Sequence, residues 1–385
     1  MSSSFVHLHL HTQFSLLDGA NQIEPLMQQI KSFGQPAVAM TDHGNMFGAI
    51  EFYRKAKDAG VKPIIGCEAY MALGSRHAKK DSGLAHNDYY HLILLARNLT
   101  GYQNLIKLSS KAYLEGFYYK PRMDKELLKE HHEGLIALSG CLSGEIPYLI
   151  GQKDMAGAMA VAGEFQEIFG KEHFYLEVQA NGLDHQRIAN AGLIEIHKKL
   201  NIPMAGTNDC HYLKKEDSHP HELMLCLQTG KTLSDPNRMK FDTDQLYVKS
   251  TEEITPAFAE FPGAGIGGMD GTHDGLDHLV LAHRGERALG GAAEALAHDP
   301  GPQAARRPEL RRLLRAHRQV AHDDVDPRIL ERLHDIDRLA FRLDDGLPVV
   351  LAEPVEGVTA LHGDALGRHV ADLDGVVLAR EDRVG

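Results

Sequence analysis

Three histidines occupy alternate positions in "HLHLHTQFSLLDG" (residues 7–19), and Asp18 follows in the same stretch. Imidazoles and carboxylates in such density are the ligand types of borderline divalent cations. Comparable residues recur along the chain: Asp42-His43 in "MTDHG", Cys67-Glu68 in "GCEAY", His91 after "NDYY", Cys141 in "ALSGC", and Asp209 with His211 in "TNDCHY". Side chains alternate across a strand. His7, His9 and His11 are therefore expected on one face, entering a shared mouth. Val6, Leu8 and Leu10 are expected on the other, packed under helices. Asp209 and His211, two apart, are expected to repeat the device. His7 reads as a hydrogen-bonded core histidine one layer down, and Cys67, Cys210 and Cys226 as packed thiols. His77, His86, His131, His132, His173, His185 and His197 fall in polar or helical stretches and read as solvated.

The elements that must hold these residues follow from the apolar pattern. Strands are expected at 5–10, 37–40, 63–66, 91–96, 135–139, 174–179 and 204–207. Helices are expected at 23–33, 47–59, 102–114, 155–169 and 186–200, several ending at a glycine. Strand-then-helix alternation argues for a parallel α/β barrel, with chemistry at the C-terminal ends of the strands. Five expected strand ends carry metal-type ligands, and His91, at the start of its strand, supplies another.

The chain has 385 residues, a net charge of −12, 24 histidines and four cysteines with no CxxC pair. That charge argues against bulk electrostatic binding of nucleic acid, and scattered cysteines argue against a disulfide framework. No signal pattern or membrane-length apolar run is present, so a soluble, cytoplasmic protein is expected, with no membrane partner. Composition breaks at residue 261. Residues 1–260 hold 20 Lys and all the Tyr and Cys; residues 261–385 hold no Lys, Tyr, Cys, Ser or Asn. The tail is either a domain of different ancestry or a GC-rich frame read wrongly after a sequence error. The break favours the second reading, and with it a tail of doubtful foldedness. Its helix-like stretch 308–319 and its pairs His273-Asp274 and His322-Asp323 are read as products of composition. The expected organisation is thus a functional region over 1–260 and an aberrant tail over 261–385.

The motifs "HLHLHTQFSLLDG", "AMTDHGNMFGAIEFY", "KPIIGCEAY", "ALSGCLSGEIP" and "TNDCHYL" together resemble the polymerase and histidinol phosphatase (PHP) domain family. "NLIKLSSKAYLEGFYYKPRMD" and "LCLQTGKTLSDPNRMKFDTDQLYVKS" look like the N-terminal region of the bacterial DNA polymerase III alpha family. The resemblance covers 1–260 and stops at the break. It implies a distorted seven-stranded (β/α)7 barrel with two or three divalent metals. By motif position the ligands would be His9, His11, Asp18, His43, Glu68, His91, Cys141, Asp209 and His211. Mixed His and carboxylate ligands suit Zn, Mn or Fe, and the Cys141 thiolate tilts one position toward Zn.

Phosphoester hydrolysis follows from such a site. In a polymerase it would be 3′–5′ exonuclease proofreading of a primer–template. Asp42, His43 and Asp209 are the candidate catalytic residues, with Asp42 orienting a ligand imidazole. Lys120 and Arg122, beside Tyr118 and Tyr119, are candidates for holding a strand. The implied parent polymerase would use Mg in a palm domain that cannot fit after residue 260, and would meet a proofreading subunit and a sliding clamp. Two alternatives stand beside this reading: a free-standing phosphoesterase acting on a small phosphate, and a non-catalytic, metal-stabilised scaffold.

Overall fold

In the N-terminal region short apolar runs become strands, and apolar residues recurring every three or four positions become helices laid over them. In the computed structural model, residues 5–79, 89–259, 261, 264 and 265 are described. The chain divides into two units, Met1–Ala297 and His298–Gly385. The second unit lies outside the described residues, as do His86, the stretch 308–319 and the two His-Asp pairs of the tail.

The strands are β1 (Ala37–Met40), β2 (Lys62–Ala72), β3 (Tyr89–Ala96), β4 (Phe117–Tyr118), β5 (Lys120–Met123), β6 (Leu135–Leu138), β7 (Phe174–Gln179), β8 (Met204–Thr207) and β9 (Ala264–Gly265). The helices are α1 (Ile23–Ser32), α2 (Ala49–Ala59), α3 (Leu99–Leu114), α4 (Lys125–His131), α5 (Glu145–Gly151), α6 (Met155–Phe169), α7 (Asp184–Leu200), α8 (Ser218–Thr229) and α9 (Thr251–Ile254). In α1 the buried residues Ile23, Leu26, Met27 and Ile30 make one stripe. Side-chain caps set other starts: Asn98 accepts from the Gly101 amide to open α3, and Asp124 from the Leu127 amide to open α4.

The sheet runs β4-β5-β2-β3-β6-β7-β8-β9, with β1 also on β2. It curls into a distorted barrel whose seam is residues 5–12. Residues 5–10 do not form the regular strand expected of them. Single bridges join His7 to Val38 and Leu10 to Cys210. The Ala39 amide donates to the His7 carbonyl (2.8 Å), and the His11 amide to the Cys210 carbonyl (2.8 Å).

Two expectations are corrected here. The barrel is not all parallel: β3 runs antiparallel to both β2 and β6. β3 is the next strand after β2 and pairs directly with it, so the chain reverses where a parallel pair would need a crossover. The strict alternation of 5–11 also fails, because the chain bends at His9. Val6 and Leu8 pack inside the barrel with Ala37, Ala39, Ile93 and Leu138. Leu10 instead packs outward with Leu26, Ile30 and Phe52 of α1 and α2. The larger core lies between the sheet and α3 to α7, around Leu105, Leu127, Phe165, Phe174 and Leu193. No helix among the described residues is long and apolar enough to cross a membrane.

Candidate metal centre

The rim of the barrel collects its polar residues from the seam, from the turns after β1, β6 and β8, and from β2 and β3. Glu68 lies inside β2, which extends past the expected 63–66 and so carries the carboxylate under the rim. The reversal of β3 explains His91. An antiparallel strand brings its N-terminal end to the edge where its neighbours bring their C-terminal ends, and His91 pairs with Tyr70 just beyond Glu68.

Glu68 is the hub. Its carboxylate lies 2.6 Å from His43 Nδ1, 2.9 Å from His91 Nδ1, 3.3 Å from His9 Nε2 and 3.5 Å from His11 Nε2. Asp209 Oδ1 lies 3.1 Å from His9 Nε2 and 3.2 Å from His11 Nε2. Asp18 Oδ2 meets His43 Nε2 at 2.7 Å and His211 Nε2 at 3.5 Å. Among the described residues, three sets of ligand atoms lie within 4.8 Å of one another: His9, His11 and Asp209; His11, His43 and His211; and His43, Glu68 and His91. Cys141 Sγ lies 3.9 Å from Glu68 Oε1 and stands at the margin with Asp18. All nine sequence-expected ligands therefore meet at one place.

The fit to cations can be tested on the atoms themselves. His9 Nε2, His11 Nε2, His43 Nδ1, Glu68 Oε2, Asp209 Oδ1 and Asp18 Oδ1 are buried, and none has a hydrogen-bond partner. They approach one another closely, yet with geometry unsuited to hydrogen bonding. Unpaired buried polar atoms are costly, and converging lone pairs are what a divalent cation satisfies. The residues fit.

Neighbouring groups fix which nitrogen faces the pocket. His9 Nδ1 donates to Glu177 Oε1 (2.7 Å), leaving Nε2 for the centre. His11 Nδ1 donates to Ser15 Oγ (3.0 Å), and Ser15 donates in turn to Asp42 (2.9 Å). His211 Nδ1 donates to the Asp209 carbonyl (3.0 Å). Such partners set tautomer and ring orientation. Glu177 and Ser15 were missed in the sequence reading, as was His221, whose Nε2 donates to the Asp18 carbonyl (2.6 Å). Glu177 did leave a signal, as the only acid in the wholly buried strand "FYLEVQ".

The electrostatics follow from burial and charge. Burial and the neighbouring His43 and His211 push His11 down to about 3, which keeps it neutral. Burial also disfavours charge on His43, but Glu68 and Asp18 outweigh it and lift His43 to about 10; Asp18 and Asp209 lift His211 to about 8. Burial would raise Glu68, yet His91, His43 and His9 hold it well below the usual carboxylate range. Asp209 is likewise depressed, against its burial, by His9 and His211.

Three placements differ from expectation. Asp42 does not face the pocket: its carboxylate accepts from the Thr12 amide (2.6 Å), the Thr12 hydroxyl (2.7 Å) and Ser15, and so acts on His11 at one remove. Arg122 is buried, donating to the carbonyls of Gly116 and Ala78, so it offers no free charge to a strand. Lys120 is better placed, its ammonium over the Tyr70 ring at 5.3 Å. Asp209 reaches the pocket from a left-handed backbone (φ 52°) beyond the end of β8, rather than by strand alternation with His211. His7 is a core residue as expected, donating from Nε2 to the Lys249 carbonyl (2.9 Å) and pushed down to about 4 by burial.

A family model for the PHP domain matches residues 7–181. These residues are a PHP domain. The chain is 49% identical over 259 residues to the DNA polymerase III subunit alpha of Treponema pallidum, covering 67% of this chain and 22% of that protein. It is 51% identical over 258 residues to the DNA polymerase III subunit alpha of Thermus aquaticus, covering 66% and 21%. The N-terminal two thirds of the chain is thus a PHP region of the polymerase III alpha kind, and the chain spans about a fifth of the length of these relatives. Among solved structures, a two-domain protein from Bacteroides vulgatus, described as containing a predicted PHP-like metal-dependent phosphoesterase, is a distant likeness. It has 16% identity and a TM-score of 0.33, covering 73% of this chain and 70% of that one.

Proposed function

We propose that this PHP domain is a metal-dependent phosphodiesterase that removes 3′-terminal nucleotides from a primer strand, as the N-terminal part of a replicative DNA polymerase subunit. The observation that carries the reading is the set of five orphaned ligand atoms, His9 Nε2, His11 Nε2, His43 Nδ1, Glu68 Oε2 and Asp209 Oδ1, that converge in one buried place. His9, His11, His43, Glu68, His91, Asp209 and His211 would hold two or three divalent cations, Zn, Mn or Fe by donor type, with Asp18 and Cys141 at the margin. Cations bound there supply an activated water, a seat for the phosphate and charge stabilisation for the entering and leaving oxygens.

The chain's own residues prepare that chemistry. Glu177 and Ser15 accept from Nδ1 of His9 and His11 and so orient both rings with Nε2 toward the pocket. Glu68 and Asp209 supply negative charge to more than one ligand set. His43 and Asp209 are the residues whose loss costs turnover most, and Asp42 is a positioning residue acting through Ser15. The substrate in this reading is a primer–template end. In the longer relatives the remaining chain would carry the Mg-dependent polymerase chemistry and the contacts to a proofreading subunit and a sliding clamp.

The test is release of the terminal nucleotide from a 3′-mismatched primer. Activity is expected with added metal, and should vanish on chelation and in His43→Ala or Asp209→Asn. Asparagine tolerates the left-handed backbone, so the second variant removes charge without adding strain. Bound metal that raises stability while no DNA is cut would make the centre structural. Faster turnover of a small phosphate ester than of DNA would favour a small-molecule phosphoesterase.

A further inference from the structure

Beside the metal centre runs a row of aromatic rings that the core does not cover. Phe47 is 64% exposed, Phe117 48% and Tyr113 38%. Phe47 and Tyr113 have ring centroids 6.3 Å apart, and Tyr113 and Phe117 lie nearly parallel at 6.2 Å. The row is tied to the pocket from both ends. Phe47 follows the ligand His43 in the same loop, and Phe117 is the cross-strand partner of Pro121. A Cβ on Gly44 would stand 2.9 Å from Pro121, so the loop after His43 rests on the β4–β5 ribbon. On that ribbon Lys120 extends over Tyr70, whose ring centroid is 5.9 Å from that of His43 and 5.3 Å from that of His91.

Exposed phenylalanines in a contiguous row mark a surface with an occupant. We infer that Phe47, Tyr113 and Phe117 form a stacking platform for unpaired bases of a single nucleic-acid strand, with Lys120 receiving the phosphate nearest the metal centre. This rests on, and deepens, the phosphodiesterase reading. Every base presents a π-face, so a row of rings holds a strand whatever its sequence. A net charge of −12 gives the molecule no bulk attraction for phosphates. Such binding therefore depends on stacking and should weaken little with salt, since the slope counts the phosphates neutralised and the site offers one lysine.

The experiment uses the full chain with chelator present, so that binding is read without cleavage. Fluorescence anisotropy follows a labelled oligodeoxythymidylate and an abasic strand of equal length. Phe47→Ala and Phe117→Ala are each expected to weaken the thymidylate complex about tenfold and to leave the abasic strand unaffected. Phe47→Trp should retain affinity, which separates loss of stacking from loss of fold. Lys120→Ala should weaken both strands alike. Equal affinity of the wild type for both strands, no binding of either, or a Phe47→Ala/Phe117→Ala double variant that binds like wild type and melts like it, overturns the platform. Those last results would leave the row as a protein contact. A chromogenic phosphodiester without bases, assayed on the metal-loaded wild type, reads the hydrolytic centre separately. Its turnover without base-dependent binding removes the platform alone, and base-dependent binding without turnover removes the hydrolytic reading alone.

Discussion

At the scale of single residues, Glu68 decides the character of the centre. Four imidazoles lie within 3.5 Å of its two oxygens, so no ligand set is independent of it. The support for His9 is as concentrated. Glu177 accepts from His9 and from Thr207 through Oε1, and from the Gly140 amide through Oε2. Glu177→Gln should cost about 10–100-fold in metal affinity while leaving every direct ligand in place. A competition titration against a coloured chelator measures it, and unchanged affinity would show that His9 does not need this partner. The direct ligands were legible because His, Asp and Glu are conspicuous at the ends of apolar runs. Ser15 was not, being an ordinary loop hydroxyl, and Glu177 was marked only as a lone acid in a strand that reads as core. Asp42 shows the limit from the other side. Its neighbour His43 faces the pocket, but adjacent residues at a strand end turn opposite ways, and Asp42 ties down residues 12–15 instead.

At the scale of elements, two junctions lend themselves to test, one near the rim and one at the opposite end of the barrel. Arg76 donates to Asp124 (2.9 Å) and Glu115 (2.7 Å), while Asp124 also caps α4. Burial alone would raise Asp124, but the Arg76 and Leu127 amides and the guanidinium hold it below its ordinary 3.8. A depressed folded value means stability that is complete above 3.8 and fades as the pH falls through the folded value. Asp124→Asn should therefore cost about 3 kcal/mol near neutrality, with the gap from wild type closing below about pH 4 in urea melts. A gap independent of pH would mean that shape, not charge, is what matters there. Gly101 makes the second test. Alanine inside a helix is normally worth up to about 1 kcal/mol over glycine. A Cβ here would stand 1.8 Å from the Gly134 carbonyl oxygen. Gly101→Ala should instead destabilise by about 1–3 kcal/mol in chemical denaturation. The helices α1, α2, α3, α6 and α7 were readable from their stripes to within a few residues, whereas α4, α5, α8 and α9 were not expected. The direction of β3 was not, because a strand's apolar pattern is the same read either way along the sheet.

For the whole molecule, one barrel binds the centre to stability. Ligands from the seam, β2, β3 and the turns after β1 and β8 meet in it, so cation binding adds directly to folding free energy. At a hundredfold excess of metal over its dissociation constant the gain is about 2.7 kcal/mol. Chelation should lower the melting temperature of the wild type by several degrees, and should lower that of Asp209→Asn far less. Equal shifts would place the stabilising cation elsewhere. The motifs allowed a barrel with one metal-collecting rim to be foreseen, because each of them follows or carries a short apolar run. The way the barrel closes was hidden, since residues 5–10 read as a plain strand, whereas residues 5–12 are joined by single bridges around a bend.

That closure has a consequence. His9 and His11 lie on the very stretch that zips the barrel shut. Unzipping and cation release are then one event, and the metal acts as the clasp on a thin seam. Amides of residues 7–12 should be the first in the barrel to exchange with deuterium when the clasp is taken away, while those of β6 and β7 remain protected.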